Sequence, residues 1–375
     1  MHSFHDWHPG TKQEETGFVW RPEFFRLSRI EDQHRVSELM ETERPEVIDR
    51  LRPQLQEMIK AKHAGIRFSP EELSAAVDEY LGSTPISFHG VWVYYPWRNK
   101  LVHLLDEEDF IFVRTNRNRN KITAEEQKRL SEKSIGVIGL SVGQSIALTL
   151  AMERSCGEIR IADFDTLELS NLNRIRAGVF QLGLPKWVIT AREIAEIDPY
   201  LRVVCYPEGI TEENIERFLW DGGKLDILVD ECDSLNIKIL AREKARLHGI
   251  PVVMDTSDRG LLDVERFDLE PDRPILHGLA EGLDYSRLQG LSDQEKIPAV
   301  LKIVGYETMS ERLKASLQEV GKSIMTWPQL ASSVSLGAAV GADVCRRISL
   351  GQFTGSGRYF VDMEEIVSDR QENLV

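Results

Sequence analysis

The sequence predicts a doubly wound α/β protein with a mostly parallel sheet and a small α+β domain ahead of it. Three observations predict this. Apolar runs of strand length alternate with helical patterns from Ser134 to Met254, the order that builds a parallel sheet. Within that stretch, Ser134 to Asp165 reads as strand, glycine turn, helix, strand and acidic tip in about 30 residues, one βαβ nucleotide-binding unit. The chemically suggestive residues of this half follow a strand's carboxyl end or open a helix, which is where open α/β sheets bind ligands. The architecture is therefore Rossmann-like.

Bulk properties set the outer limits. The 375 residues suffice for two or three domains and a large core. A hydrophobic share of 42% and a charged share of 29% describe an ordinary globular chain. The net charge of −15 argues against nucleic-acid and anionic-membrane partners. No apolar run approaches the ~20 residues needed to span a bilayer, and the N-terminus lacks the features of a secretory signal. The four cysteines, Cys156, Cys205, Cys232 and Cys345, are scattered without a CxxC pair, which argues against a disulfide scaffold and a four-cysteine zinc site. A cytoplasmic protein without zinc is expected.

Taken in order, residues 1–30 are polar and aromatic without a sustained period. His2, His5 and His8 resemble a metal cluster, but a loose or partner-covered terminus is the favoured reading. Residues 31–64 are helical in pattern: Val36, Leu39, Met40, Val47, Ile48, Leu51, Leu55, Met58 and Ile59 recur every three to four positions. Pro45 and Pro53 mark a break or first-turn positions. Ser69 and Pro70 open another helix with N-cap chemistry, and Gly82 stops it. Ile86, Phe88, Val91, Val93 and Tyr95, then Leu101 to Leu105, read as short strands around a turn at Pro96–Asn99. Residues 1–105 are taken as this small domain, a scaffold extension or a peptide-docking module whose sheet edge could accept an extended strand. Residues 106–355 form the main domain and 356–375 a C-terminal tail.

The basic segment Arg114–Lys121 precedes a helix begun at Ile122 with Thr123 as N-cap. The apolar run Ile135–Ile138 closes on Gly139, and Gly139-Leu-Ser-Val-Gly143 forms the turn. A glycine turn admits a phosphate close to the backbone, and the following helix N-terminus offers free N–H groups. Only Gly139 and Gly143 remain of a glycine-rich signature, with Ser141, Val142 and Gln144 where more glycines would stand. Asp163, ending the second strand, can accept from ribose hydroxyls. Then come Asp165, Ser170-Asn171-Leu-Asn-Arg174 and Gly183-Leu-Pro-Lys186, and a helix from Lys186 to Ile197. Further strands are expected at 201–205, 226–230 and 251–254, with helices at 214–219 and 236–248. Asp255–Gly260 is a candidate for substrate contacts, and a strand and turn are expected at 265–268. Two weaker helices fall in 284–325, and one small-residue helix runs from Trp327 to Ile348, stopped by Gly351.

The ordered set Asp163-Phe-Asp165, Asn171, Arg174 and Lys186 resembles the ThiF/MoeB/HesA family of ubiquitin-activating-enzyme-like adenylyltransferases, over roughly residues 110–350. The resemblance implies ATP-dependent adenylation of a carboxylate with Mg²⁺. By carry-over, Gly139, Ser141 and Gly143 shape the phosphate turn, Asp163 holds the ribose, and Asn171 and Arg174 contact phosphates. Lys186 neutralises transition-state charge and Asp233 binds Mg²⁺. Arg117, with Arg119 and Arg114 as alternatives, completes the site from the second subunit of a homodimer. Ile175 stands where many relatives have Gln, Asp198 precedes Pro where Asn is usual, and no cysteine occurs in residues 255–325. The expected chemistry is acyl-adenylate formation without a protein thioester. The substrate implied is a carboxylate of a ribosomally made precursor peptide, activated for condensation or dehydration. Alternatives are the C-terminus of a ubiquitin-like sulfur carrier, an NAD-dependent oxidoreductase, or a silent nucleotide-binding scaffold.

Overall fold

The computed structural model describes residues 17–368; the histidines at positions 2, 5 and 8 lie outside them. The chain divides into two compact units. One runs to Ala124 and includes Asp198–Tyr200; the other takes Glu125–Ile197 and Leu201 onward.

In the first unit, strands β1 (Glu23–Phe25), β2 (Glu46–Asp49), β3 (Val91–Tyr95) and β4 (Lys100–Leu104) form a sheet in the order β1-β3-β4-β2. β3 and β4 make an antiparallel hairpin and β2 lies parallel to β4. The hairpin turns at Pro96–Arg98 and Asn99, whose φ of 48° suits Asn better than most residues. Helices α1 (Ile30–Thr42), α2 (Leu51–Lys62) and α3 (Pro70–Leu81) accompany the sheet. Val47 and Ile48, read from the sequence as helical, are strand. Arg44 takes a φ of 50° and Pro45 cannot continue a helix, so the chain turns and pairs with Leu101 and Val102. α3 carries the expected cap, a reciprocal Ser69–Glu72 box with Pro70 in the first turn. Leu51, Leu55 and Met58 pack with Leu73, Val77 and Leu81 as the helical core. Helix α4 (Glu107–Thr115) follows the hairpin and was not legible in the pattern.

The second unit is the doubly wound α/β body. Its seven strands are β5 (Ser134–Ile138), β6 (Glu158–Ala162), β7 (Arg202–Tyr206), β8 (Ile227–Asp230), β9 (Val252–Asp255), β10 (Leu261–Glu265) and β11 (Gly357–Phe360). They lie in the order β11-β10-β9-β8-β5-β6-β7. The five from β9 to β7 are parallel, while β10 and β11 extend the sheet antiparallel. The order reverses beside β5, between β6 and β8, which opens a crevice at their carboxyl ends. The helices are α5 (Ala124–Leu130), α6 (Gly143–Glu153), α7 (Lys186–Ile197), α8 (Ile215–Trp220) and α9 (Leu235–Leu247). After β10 come α10 (Tyr285–Gln289), α11 (Asp293–Val304), α12 (Glu311–Leu317), α13 (Ala331–Ser349) and α14 (Met363–Ile366).

Three details differ from the sequence reading. The 284–325 region holds three helices rather than two, because Asp284, Ser292 and Ser310 each cap a new start. The strand near residue 265 begins earlier, at Leu261, since it pairs back onto β9. Inside the expected tail, Gly357–Phe360 pairs with β10 as the sheet's edge. α13 begins at Ala331 and buries Gly337, Ala338, Gly341 and Ala342, so small residues let it pack closely on α6. No helix among the described residues is long and apolar enough to cross a membrane.

Candidate active site

The site grows from the turn between β5 and α6. Gly139 has a φ of 84°, and a Cβ there would lie 2.6 Å from the Glu231 carbonyl oxygen. Glycine is thus required twice over, by conformation and by the approach of the β8 end. A Cβ on Gly143 would lie 2.7 Å from Val137, so the helix start is pressed onto the strand. No side chain caps the first turn of α6, leaving N–H groups for an anion. Ser141 directs its Oγ outward to accept from Arg174.

The acidic tip of β6 is tied to this turn. Asp163 is buried; its Oδ2 accepts from Leu140 N–H at 2.6 Å and its Oδ1 from Asp165 N–H at 2.7 Å. Burial pushes its carboxyl above the ordinary range, while these N–H bonds and Lys186 pull it back. Lys186 opens α7 with a buried side chain, and its ammonium donates to Asp165 Oδ2 at 2.9 Å. The outer carboxylate of the tip is therefore Asp165.

Between them, Leu167 N–H bonds Leu184 O and Gly183 N–H bonds Leu167 O, closing a loop that carries the Asn and Arg residues. Asn171 is buried and its Oδ1 accepts from Glu168 N–H at 3.1 Å. Arg174 donates to Ser141 Oγ at 2.8 Å and to Asn173 Oδ1 at 2.9 Å. Its Nε is buried without a partner. Burial lowers the guanidinium's affinity for its proton, partly offset by the Asp233 carboxylate. Gln144, where a glycine was missed, has a structural task of its own. Its amide accepts from Arg176 N–H at 2.9 Å and donates to Arg176 O at 3.1 Å, so α6 grips the loop directly beyond Arg174.

The third contribution comes from β8 and β9. Asp233 is exposed, and its carboxylate has no side-chain partner among the described residues. Asp230 is fully buried between Lys238, at 3.1 Å, and Arg242, which hold its carboxyl far below the usual range against burial. Glu231 turns the other way: its Oε1 accepts from Asp255 N–H at 2.8 Å. Burial first, and the Asp255 charge second, raise Glu231 well above an ordinary carboxyl. Burial pushes Asp255 up to about 6. The Cys232 thiol donates to Asp230 Oδ1 at 2.9 Å and is pushed up by burial and that charge, which disfavours its thiolate. Glu231, Asp255 and Lys238 were not assigned roles from sequence beyond the strand-end position that Asp255 shares with the substrate-contact segment. Among the described residues no group of three or more His, Cys, Asp or Glu side chains could hold a metal ion.

A cavity of about 1180 Å³ opens beside these strand ends, lined by the β9–β10 loop, α11, α12, the start of α13, Phe360 and residues 362–365. Val142 and Asp233 lie on its wall. The segment 255–260, a substrate-contact candidate, also lines it. Arg117 and its alternatives belong to the other unit. There Arg114 pairs with the buried Asp198 at 3.4 Å and Arg119 lies over the Phe112 ring, while Arg117 is exposed.

Comparison with known proteins finds relatives of this chain. An uncharacterized protein of Mycobacterium tuberculosis is 51% identical over 272 residues, 72% of this chain and 38% of that protein. The sulfur carrier protein adenylyltransferase of Thermus thermophilus is 28% identical over 162 residues, 42% of this chain and 56% of that protein. The chain thus spans well under two thirds of either relative. The tRNA N6-threonylcarbamoyladenosine dehydratase of E. coli, solved with AMP, is 19% identical at a TM-score of 0.46, over 64% of this chain and 95% of that one. The profile of the ThiF family matches residues 115–326, more than half of the sequence, and the chain belongs to that family.

Proposed function

We propose that the chain adenylates a carboxylate with ATP, joining it to the α-phosphate and releasing pyrophosphate. One observation carries the reading: an uncapped helix N-terminus, the Arg174 guanidinium held on Ser141, and the free Asp233 carboxylate meet at one turn. The reaction concentrates negative charge on phosphate oxygens, and fixed N–H groups and cations stabilise it best. In this reading the α6 N–H groups and Arg174 bind the phosphates. Gln144 keeps Arg174 in place through Arg176. Lys186, buried beside Asp163, supplies charge when Asp165 releases it to a phosphate.

Asp233 fits a Mg²⁺ ion: it is an exposed oxygen donor at the phosphate turn, and Mg²⁺ is commonly held by one or two carboxylates with the substrate's phosphates. When bound, the ion would neutralise phosphate charge. Asp163 keeps a spare lone pair on each oxygen for a ribose hydroxyl. The raised Cys232 thiol supports transfer from the adenylate without a protein thioester.

For the substrate, we propose a carboxylate on a ribosomally made precursor peptide. The reading draws on the family resemblance and on β2, an outer strand whose Val47 is exposed and which could pair with an extended peptide. A second copy of the chain would bring Arg117 to the phosphates. A relative named for a sulfur carrier protein favours a second reading, activation of such a protein's C-terminus. ATP–pyrophosphate exchange with and without candidate peptides, on wild type and Arg174→Ala, tests the proposal. Exchange is expected, with a loss of at least 100-fold in Arg174→Ala; exchange that survives the substitution, or none with any carboxylate, overturns it.

A further inference from the structure

The cavity beside the phosphate turn is larger than a bare carboxylate requires. Its volume, about 1180 Å³, exceeds the ~300–1,000 Å³ of pockets that enclose drug-sized ligands. The nucleotide does not account for it, because Gly139, Ser141, Asp163, Asn171, Arg174 and Lys186 are all absent from its lining. The space begins where those residues end. Val142, the residue that opens α6, is on its wall, as is Asp233, so an occupant is continuous with a group attached to the α-phosphate.

Part of the wall is apolar, beside the strand-end carboxyl groups of Glu231 and Asp255. Val142, Leu235, Met254, Leu261, Ile303 and Met309 line it, each 8% exposed or less. The inner cations are already committed. Lys238 serves Asp230, and Arg259 is bound to Asp362 at 2.6 Å and to Glu365. Glu307, Arg312 and Glu364 also line the space but are exposed. A substrate segment without side chains would leave the apolar part of the inner wall facing water, whereas an apolar body would remove that surface from it.

We propose that the carboxylate activated here is borne on a bulky apolar body, an aliphatic or aromatic acyl group that fills this cavity. The inference rests on the adenylation reading and narrows its substrate. Two sources share this chemistry, a free carboxylic acid and the apolar residues of a peptide.

The test uses stable mimics of the acyl-adenylate. Binding of 5′-O-sulfamoyladenosine and its acetyl, butanoyl and hexanoyl derivatives to the full chain is measured by calorimetry. Each added methylene is expected to tighten binding roughly threefold to fourfold, so hexanoyl exceeds acetyl on the order of 100-fold. Ser333→Trp fills the cavity from α13 and is expected to bring the acetyl and hexanoyl derivatives to equal affinity. Glycyl-glycyl and leucyl-phenylalanyl derivatives separate the sources. A leucyl-phenylalanyl preference of tenfold or more assigns a peptide, and a gain confined to the simple acyl series assigns a free acid. If sulfamoyladenosine binds but neither series gains affinity with apolar size, the inference fails and the adenylation reading stands. If sulfamoyladenosine itself does not bind, both fall.

Discussion

Asp230 and Glu231 are consecutive residues at the end of one strand, yet the fold treats their carboxyl groups in opposite ways. Side chains alternate across a strand, so Asp230 meets α9, where Lys238 and Arg242 wait. Glu231 meets the α6 and α13 side, where a Cβ on Gly143 would sit 3.4 Å from it and the charge that acts on it most is that of another acid, Asp255. Asp230 is fully buried and Glu231 half-buried. One is held ionised because two cations surround it; the other is pushed toward its protonated form because burial and a neighbouring carboxylate disfavour charge. Burial alone therefore does not decide ionisation in this site. The choice lies with which helix a residue faces.

The largest effect expected from this contrast is at Asp230. Asp230→Asn leaves Lys238 without its carboxylate and Arg242, fully buried, with Glu265 alone. Removing one partner of a buried ion pair costs about 3–5 kcal/mol. Urea unfolding at neutral pH should show that loss. A loss below about 1 kcal/mol would mean that Asp230 is not ionised, and the comparison would break at its first term.

The next effect is a matter of sign. Asp255 rises from an ordinary 3.8 to about 6, so the folded protein binds its proton more tightly than the unfolded chain does. Between pH of about 4 and about 6 the native state holds more protons, and stability from this residue falls as pH rises. The loss is about 3 kcal/mol and is complete above pH 6 or so. Asp230 runs the other way: its contribution is present above pH of about 4 and is lost as the medium is acidified below that. Asp255→Asn removes the first trend alone. Its stability relative to wild type should climb by about 3 kcal/mol from pH 4 to pH 7. Parallel profiles would show that Asp255 titrates normally.

How much of this could be read from the sequence follows the same division. The Asp163–Lys186 segment was legible because its residues sit on a short stretch whose order carries chemistry. The parallel sheet was legible because each strand is a continuous apolar run closed by a turn. The contrast at β8 was not, since the partners of Asp230 lie on α9 and β10 and those of Glu231 on β9 and α13, all brought together only by the strand order. Val47 and Ile48 failed for a related reason: their spacing suits a helix, and only pairing with Leu101 and Val102 makes them strand. The glycine turn misled in one respect. Gln144 reads as a lost glycine, whereas its amide holds both main-chain polar groups of Arg176.

A smaller effect tests the α13 side of the contrast. A Cβ on Gly337 would lie 2.1 Å from the Asp255 Oδ2. Gly337→Ala must displace either the helix or the carboxylate, at about 1–3 kcal/mol. If the carboxylate moves outward toward water, Asp255 should also titrate lower, and the fall in stability between pH 4 and 6 should shrink. Thermal unfolding across that range reads both changes. An alanine tolerated without cost would place α13 further from β9 than this packing allows.

Glu231→Gln should do least of all, and that is its value. A protonated Glu231 presents one O–H donor and one carbonyl acceptor, and its Oε1 already accepts from Asp255 N–H. Gln offers an acceptor in the same place and an N–H donor in place of the hydroxyl. At neutral pH the exchange should change stability by less than about 0.5 kcal/mol, as at an undemanding surface position, although the side chain is half-buried. The same carboxylate-to-amide change one residue earlier, at Asp230, is expected to cost several times more. Equal costs at the two positions would mean that Glu231 is ionised at neutral pH, and that the two faces of β8 do not differ in the way their partners imply.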